Sequence, residues 1–309
     1  MQTIEETIHE MRSLKRYGAI KSITRLGGLT NRVFRVETTS GVFCLRLPGE
    51  GTEEYIDRGH ECVAAKEAAR VEVSAPVEFF DIRTGVSLTR FMEEVVTMTP
   101  QLFQSRQGAI ARAGKALRQL HTSDAQFASH FDMFKMLDGY TKILAQKSAK
   151  VPAGYDAILE ILEKARAALE AFPVDLAPCH CDPLCENFLD TGDRMIIVDW
   201  EYSGMNDPMW DIADLIIEAE LGPKAEKELL HAYFNGEPSP VELGRIVIFK
   251  ALCDLLWSLW GLIQHANRNP ADDFWAYGNK RFQRCRELMM SDSFLEHVRT
   301  VQEGAEEFM

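Results

Sequence analysis

The sequence predicts an α+β fold with a small antiparallel sheet in its N-terminal part and a larger, mainly helical C-terminal part. Two observations support this fold class. Alternating apolar residues and hairpin turns fill the chain before Thr99, and amphipathic helical patterns dominate after it. We therefore predict two lobes, over residues 1–92 and 93–309, with a hinge where the pattern changes. A chain of 309 residues is long enough to give both lobes a core.

Each element of the N-terminal part follows from local patterning and turn residues. The predicted order is a strand over 22–26, a glycine turn over 27–31, a hairpin ending at 47, a helix over 55–70 and a second hairpin over 77–91. The antiparallel sheet of this part is thus predicted from consecutive hairpins.

The C-terminal part is predicted to contain a series of amphipathic helices. They cover residues 100–121, 155–172, 211–221, 224–234, 243–266 and 274–290. The longest apolar stretch, 246–263, contains Lys250 and Asp254, and a membrane span rarely tolerates two charges at that depth. We therefore predict that this stretch is a buried helix.

Composition restricts the possible partners. The net charge is -13 and the sequence pI is near 5.2. Such acidity argues against nucleic acid and against insertion into or binding to anionic membranes, whereas it suits a cationic small molecule. Seven scattered cysteines predict reduced thiols and a cytoplasmic protein, not a disulfide scaffold.

The segment over residues 180–189, together with Asp199, is the most informative part of the sequence. It reads His-Cys-Asp-Pro-Leu-Cys-Glu-Asn-Phe-Leu, and a hairpin turn and an apolar strand then lead to Asp199. Phosphoryl transfer from ATP needs a carboxylate that orients the attacking hydroxyl, and an amide and a second carboxylate that hold Mg²⁺. We predict Asp182 as the base, His180 as the residue that orients the loop, and Asn187 and Asp199 as metal ligands. The spacing matches a kinase catalytic loop, with His-x-Asp in place of His-Arg-Asp.

The same segment has two other interpretations, a surface loop and a zinc site. An ordinary polar surface loop would not require an aspartate at the end of the following apolar strand. A zinc site could use Cys179, His180, Cys181 and Cys185, but zinc ligands are usually spaced in pairs, whereas side chains at adjacent positions diverge. The phosphoryl-transfer interpretation is therefore favoured.

Candidate nucleotide ligands precede this segment. Gly27 and Gly28, followed by Asn31, form a turn in which the backbone can approach a phosphate, although a plain hairpin turn would look the same. Arg46 ends the next predicted strand, where a basic residue can pair with phosphates, and Glu61 on the following helix can orient it. Solvated surface charges are the alternative for both residues.

Candidate acceptor ligands follow the segment. Asp254, Trp257 and Trp260 share one helix face, where two indoles and a carboxylate can enclose an ammonium group. Packing of both tryptophans in the core is the alternative. Glu201 and Asp207 are further candidates near the metal site. Asp207 could instead form a turn, and Asp211 either caps a helix or lines the pocket.

The sequence resembles the choline/ethanolamine kinase family, within the aminoglycoside-phosphotransferase-like kinases. The motifs that support this resemblance are residues 27–31, Arg46, Glu61, the loop over 180–187, residues 199–202 and the Trp257/Trp260 pair. The resemblance implies a two-lobed protein-kinase-like fold and Mg²⁺-ATP-dependent phosphorylation of an amino-alcohol hydroxyl. By the same resemblance, adenine would bind near Phe91 and Glu93, and the substrate ammonium near the tryptophans.

One departure from the family leaves the acceptor open. Asp207 stands where eukaryotic choline kinases carry a pocket tyrosine. Choline and ethanolamine are the predicted acceptors. Thiamine, an aminoglycoside, a methylthio-sugar and homoserine are the alternatives, as is a kinase-like protein that binds ligand without catalysis.

Overall fold

A computed structural model describes residues 16–27, 31–49, 52 and 56–304 of the protein. The N-terminal part contains a five-stranded antiparallel sheet in the order β1-β2-β3-β5-β4. The strands are β1 (Ile20–Arg25), β2 (Arg32–Thr38), β3 (Gly41–Leu47), β4 (Val77–Phe80) and β5 (Ser87–Arg90). Both predicted hairpins are present. Apolar side chains of β2, β3 and β5 form a small separate core beneath them, at Phe34, Val36, Phe43, Leu45, Leu47 and Leu88.

Helix α1 (Arg58–Arg70) crosses from the sheet to the rest of the protein. Asp57 caps it by accepting hydrogen bonds from the backbone N–H groups of Gly59 and His60. Its buried alanines, Ala64 and Ala68 among them, pack into the main C-terminal core and not into the core of the sheet. The helix was predicted from residue 55, which lies outside the described residues, but Ile56 and Asp57 are not helical, because Asp57 is the N-cap.

The C-terminal part is mainly helical, as predicted. Its helices are α2 (Pro100–Ser105), α3 (Ala109–His121), α4 (Met133–Gln146), α5 (Tyr155–Ala171), α6 (Met209–Glu218), α7 (Pro223–Phe234), α8 (Pro240–Ala266), α9 (Phe274–Met289) and α10 (Asp292–Glu303). The single helix predicted over 100–121 is two helices, because Arg106 is extended and Gly108 adopts a left-handed conformation with φ 72°. Helices α4 and α10 were not predicted.

Helix α8 is the long apolar helix of the core. Ser239 and Glu242 form a capping box at its start, and Pro240 occupies the first turn. In the part of the chain that the structure describes, it is the one helix long and apolar enough to cross a membrane, but 83% of its most apolar window is buried inside the protein. The prediction of a buried helix is confirmed.

The candidate site is built on short strands between α5 and α6. Strand β8 (Phe188–Asp190) pairs with β9 (Met195–Ile197) and with β6 (Val96–Thr97), whereas β7 (Ala177–Cys179) pairs with β10 (Gly204–Asn206). A 3₁₀ turn over Cys185–Asn187 leads into β8. The buried Asp190 carboxylate pairs with Arg106 and Arg112, which fixes the hairpin against the helices. Asn187 therefore begins the β8–β9 hairpin, and Asp199 follows it.

Candidate active site

Asp211 anchors the loop that carries the predicted base. Its fully buried carboxylate accepts hydrogen bonds from the backbone N–H groups of His180, at 2.7 Å, and Cys181, at 2.8 Å. The Nε2 atom of His121 lies 3.0 Å from the same carboxylate. Asp211 thus binds loop amides, a role different from the helix cap or pocket wall weighed from the sequence.

The backbone at Cys181 takes an unusual conformation, with φ 67°. Few non-glycine residues adopt it, and it persists only where surrounding contacts enforce it. The Cys181 N–H binds Asp211, and its carbonyl accepts a hydrogen bond from the Trp210 indole at 3.1 Å. This turn sets the direction in which the chain continues to Asp182.

His180 connects the loop to the strand that precedes Asp199. Its Nε2 atom lies 2.9 Å from the carbonyl oxygen of Val198, and its ring packs edge-on against Trp200 at 4.9 Å between centroids. The residue is fully buried. These contacts, with the Val198 backbone and the Trp200 ring, support the predicted orienting role of His180.

The environment of Asp182 suits a proton acceptor. Burial raises the pKa of its carboxyl well above the ordinary range, and the nearby carboxylates of Glu218, Asp199 and Glu201 raise the pKa further, against the opposing effect of Arg281. A carboxyl group with a raised pKa accepts a proton more readily once it is ionised. Of these neighbouring carboxylates, Glu218 raises the pKa of Asp182 most, and it is not among the residues predicted from the sequence.

Asn187 and Asp199 present oxygen atoms at the two ends of the hairpin. The Asn187 amide nitrogen donates to the backbone carbonyl of Asp182 at 3.0 Å, which leaves its own side-chain oxygen available as a ligand. Asp199 has φ 69°, a conformation uncommon for a non-glycine residue, and its side chain is 31% exposed. An amide oxygen and a carboxylate are hard donors that fit Mg²⁺.

The predicted ion pair between Arg46 and Glu61 is present, and it belongs to a larger cluster. Arg46 also binds Asp199, and its Nη1 atom lies 3.7 Å from Glu201. Burial opposes the charge of Arg46, but Asp199, Glu61 and Glu201 outweigh it and raise its pKa. Arg58, absent from the predicted set, binds Glu61 and Glu201.

Glu201 was predicted to contact the acceptor, but its carboxylate points into this arginine cluster, on the sheet side of the hairpin. Asn31 joins the same cluster. Its amide nitrogen lies 3.4 Å from Asp199 and 3.3 Å from Glu201, and its side-chain oxygen accepts from the Gly49 N–H. Asn31 therefore links the start of β2 to Asp199, the predicted metal ligand.

The remaining predicted nucleotide residues lie at the ends of the sheet strands. The carbonyl of Gly27 accepts a hydrogen bond from the Val33 N–H, and there is open space where a Cβ would stand. Gly28 lies outside the described residues. Phe91 packs under Arg35, whose guanidinium is 3.9 Å from Glu93. Phosphate binding at the glycines and adenine binding at Phe91 and Glu93 stay predictions.

The two tryptophans of α8 have different surroundings. Trp257 is buried beside the ring of Tyr202, with centroids 6.1 Å apart, and within the described residues its indole N–H has no hydrogen-bond partner. Trp260 is half-buried and packs edge-on against Phe274 and Tyr277 of α9. Among the ring pairs of the described residues, it is thus Trp257 that packs against the segment following Asp199.

Two predicted acceptor carboxylates are already paired with arginines. Asp207 is buried and binds Arg245, and its other oxygen accepts from the Met209 N–H. Asp254 is buried between Arg281 and Arg284. The aspartate in the apolar helix thus has the partner that burial requires, and both carboxylates already have an arginine partner.

Two further acidic residues lie near enough to Asp182 to affect its charge. Asp214 and Glu218 lie one turn apart on α6, and Glu218 pairs with Arg281. Asp214 is fully buried, and neither of its oxygens has a hydrogen-bond partner in the part of the chain that is described. Burial raises the pKa of Tyr277 to about 12, with Glu218, Asp214 and Asp182 adding to the effect against Arg281. Two acidic residues four positions apart in an otherwise apolar helix are the sequence feature that could have indicated this part of the site.

The contacts of the cysteines do not favour the zinc site considered from the sequence. Cys179 donates to the Asn206 carbonyl, Cys181 to carbonyls of its own loop, and all seven cysteines are free thiols. His121, Cys179 and Asp211 approach one another, but His121 and Asp211 are already hydrogen-bonded to Tyr233 and to the loop amides. This cluster has the contacts of a structural network.

Comparison with known proteins places the chain in a family. Residues 22–243 match the model of the phosphotransferase enzyme family, APH. Protein LicA of Haemophilus influenzae is 30% identical over 272 residues, which are 85% of this chain and 78% of that protein. The chain belongs to this phosphotransferase family and is an ATP-dependent small-molecule kinase by class.

Solved structures define the branch. A choline/ethanolamine kinase family protein from Mesorhizobium loti is 50% identical, with a TM-score of 0.89, and the match covers 96% of this chain and 97% of that one. Choline kinase LicA from Streptococcus pneumoniae is 26% identical, with a TM-score of 0.76, over 93% of this chain and 99% of that one. The chain is a member of the choline/ethanolamine kinase family.

Proposed function

We propose that this protein transfers the γ-phosphoryl group of Mg²⁺-ATP to the hydroxyl of choline or ethanolamine. The observation that carries the proposal is Asp182, whose carboxyl has a raised pKa and lies on the loop that Asn187 closes. The hydroxyl oxygen forms a bond to the γ-phosphorus while the bond to the ADP oxygen breaks. Asp182 takes the hydroxyl proton, and ADP leaves.

The nucleotide would lie between the sheet and the catalytic hairpin. The Asn187 and Asp199 oxygens would hold Mg²⁺, which neutralises phosphate charge when bound. Arg46 would bind the phosphates, oriented by Glu61 as in the pair observed. The similarity to LicA, one solved structure of which contains AMP, supports adenine-nucleotide binding.

The acceptor would lie on the other side of Asp182. Asp214 is a buried carboxyl group with no hydrogen-bond partner in the described residues, and an ammonium group would supply the charge partner that its ionised form lacks, whereas Glu218 already pairs with Arg281. Tyr277 and the α8 tryptophans supply aromatic faces. Carboxylates and aromatic faces both attract an ammonium group. These residues replace the predicted pair of Asp207 and Asp254, whose carboxylates are held by arginines. A small cationic amino alcohol fits this surface better than a neutral sugar. We further propose that the enzyme acts in the cytoplasm, in keeping with its seven free thiols.

An acceptor panel tests the proposal. ADP release would be followed with Mg²⁺-ATP and choline, ethanolamine, thiamine, homoserine, a methylthio-sugar or an aminoglycoside. We expect choline or ethanolamine to give the highest kcat/KM, and Asp182→Asn to lower it by about 10²–10⁴-fold. Asp193→Asn, on the exposed turn of the same hairpin, is the matched control. Faster turnover of a non-cationic acceptor, or full activity of Asp182→Asn, would refute the proposal.

A further inference from the structure

Arg58 lies at the centre of a charged cluster between the sheet and the catalytic hairpin. It is the first residue of α1, is 8% exposed, and donates to Glu61 at 2.7 Å, to Glu201 at 3.2 Å and to the hydroxyl of Thr52. Glu61 belongs to α1, whereas Glu201 follows the metal-site aspartate by two residues. The buried Arg58 side chain thus connects α1 to the segment that follows the β8–β9 hairpin.

The side chain of Arg58 is fixed by packing. Gly85, in the turn between β4 and β5, has φ 73°, and a Cβ built there would lie 2.6 Å from the Arg58 Nε atom and 2.8 Å from Pro48. The backbone of the turn therefore closes directly over the guanidinium group. The buried Nε atom of Arg46 has no hydrogen-bond partner within the described residues.

Arg46 and Arg58 share their carboxylate partners. Glu61 uses one oxygen for each arginine, and the Oε2 atom of Glu201 lies 3.2 Å from Arg58 but 3.7 Å from Arg46. Three carboxylates, those of Glu61, Asp199 and Glu201, face two guanidinium groups. If either arginine were removed, the other would have to serve all three carboxylates. Buried carboxylates that lack a close cationic partner are strongly destabilised.

The pair between Arg46 and Asp199 has to open in the reaction cycle. The two side chains bind each other in this structure, whereas the proposed function assigns Arg46 to the phosphates and Asp199 to the metal. When Arg46 turns to a phosphate, the other two carboxylates need a cation that does not move. Arg58 already binds both of them, and its packing holds it in place.

We propose that Arg58 is a positioning residue that holds Glu61 and Glu201 in place while Arg46 exchanges Asp199 for the nucleotide phosphates. This inference rests on the proposed function. Without Arg58, Glu201 pairs with Arg46, and the phosphates must compete with a buried carboxylate for the same guanidinium. The effect is therefore on nucleotide binding and not on the acceptor side of Asp182.

The test compares Arg58→Met and Arg58→Lys with the double variant Arg58→Met/Glu201→Gln. Arg70→Met is the matched control, because Arg70 ends the same helix and binds Glu67 and Asp124 at the surface. The dissociation constant of ATP would be measured by calorimetry with and without Mg²⁺, alongside KM for both substrates. We expect Arg58→Met to weaken ATP binding about tenfold, with acceptor KM unchanged and Arg70→Met like the wild type.

The double variant distinguishes positioning from general support of the fold. If Glu201 captures Arg46, removing its charge restores most of the ATP affinity, whereas a merely structural Arg58 would show no such rescue. Unchanged ATP affinity in Arg58→Met, or no rescue, overturns the inference. Should Arg58→Met not fold, the same comparison in Arg58→Lys decides. A wild-type protein that neither binds nor hydrolyses ATP would instead refute the proposed function.

Discussion

The side-chain amide of Asn187 donates to the backbone carbonyl of Asp182 at 3.0 Å. The proposed metal ligand and the proposed base therefore belong to one closed loop, in which a shift of either residue moves the other. Because the amide nitrogen is used inside the loop, only the side-chain oxygen of Asn187 faces outward. An asparagine meets both needs, whereas an aspartate has no donor for the carbonyl.

We expect Asn187→Asp to lower kcat at least about tenfold, since it keeps an oxygen ligand but loses the hydrogen bond to Asp182. Melting temperature and ATP affinity, measured together with kcat, would separate loop disorder from unfolding. Glu186→Gln, at the exposed neighbouring position, is the control. Wild-type kcat in Asn187→Asp would show that closure of the loop is unimportant.

Asp211→Asn removes one of the two acceptors for the loop amides, because an amide group presents its own N–H₂ to the Cys181 N–H. Losing a charged, buried hydrogen bond has a free-energy cost of about 1.5–3 kcal/mol. We therefore expect lower stability in urea denaturation together with a fall in kcat of about tenfold or more. Asp175→Asn, at an exposed position, should change neither quantity. Loss of stability with kcat intact would argue that Asp211 only supports the fold.

The pH profile of kcat reports on Asp182. Its carboxyl has to be ionised to accept a proton, and burial followed by Glu218 raises its pKa. Activity should therefore fall on the acid side at a higher pH than an ordinary aspartate would give. Glu218→Gln removes a neighbouring negative charge and should move this acid limb to lower pH. Glu220→Gln, at an exposed position in the turn that follows this helix, is the control. An acid limb that stays in place in Glu218→Gln would contradict the assignment.

Asp190 is expected to stabilise the fold in a pH-dependent way. Burial opposes its charge, but hydrogen bonds from Arg112 and Arg106 outweigh burial and lower its pKa from 3.8 to about 2. A lowered folded-state pKa gives stability that is present above pH 4 and is lost as the pH falls through about 2. Asp190→Asn should therefore lose about 3 kcal/mol at pH 7 and less at pH 3, as measured by urea denaturation. An equal loss at both values would rule out the ion pairs as its source.

Trp260→Ala tests the aromatic side of the acceptor pocket. Losing one cation–π face weakens binding of an ammonium group by about 1–2 kcal/mol, so we expect acceptor KM to rise about tenfold while ATP KM stays unchanged. Trp275→Ala is the matched control, because this tryptophan packs with His265 and Lys150. Equal changes in the two KM values would point to a packing role.

The sequence was most informative where the chemistry is local. His180, Asp182 and Asn187 lie within eight residues of one another, and the hairpin that leads to Asp199 is set by a turn and an apolar strand. Their spacing alone therefore predicted a shared loop. The two hairpins followed equally from local patterns, whereas the pairing of β3 with β5, which joins them into one sheet, links segments as distant in the chain as Phe43 and Arg90.

The rest depends on contacts between distant segments. Arg58 reaches Glu201 across 143 residues, and Arg281 reaches Glu218 across 63, and no local pattern indicates either pair. For the same reason, Asp207 and Asp254 were predicted to contact the acceptor, since the sequence does not show that Arg245 and Arg284 lie beside them. Helix α4 was overlooked in the sequence, although its local pattern is amphipathic.

The burial of α8 limits how this protein could acquire a new acceptor. Trp257 is one face of the proposed pocket and also part of a helix whose side chains form the centre of the C-terminal core. A substitution that reshapes this wall therefore also changes the packing that keeps the protein folded. Substitutions on α9 that favour another substrate would disturb the core less, because side chains there such as Tyr277 are less buried. Selectivity and folding stability are thus more tightly coupled on the α8 wall of the pocket than on the α9 wall.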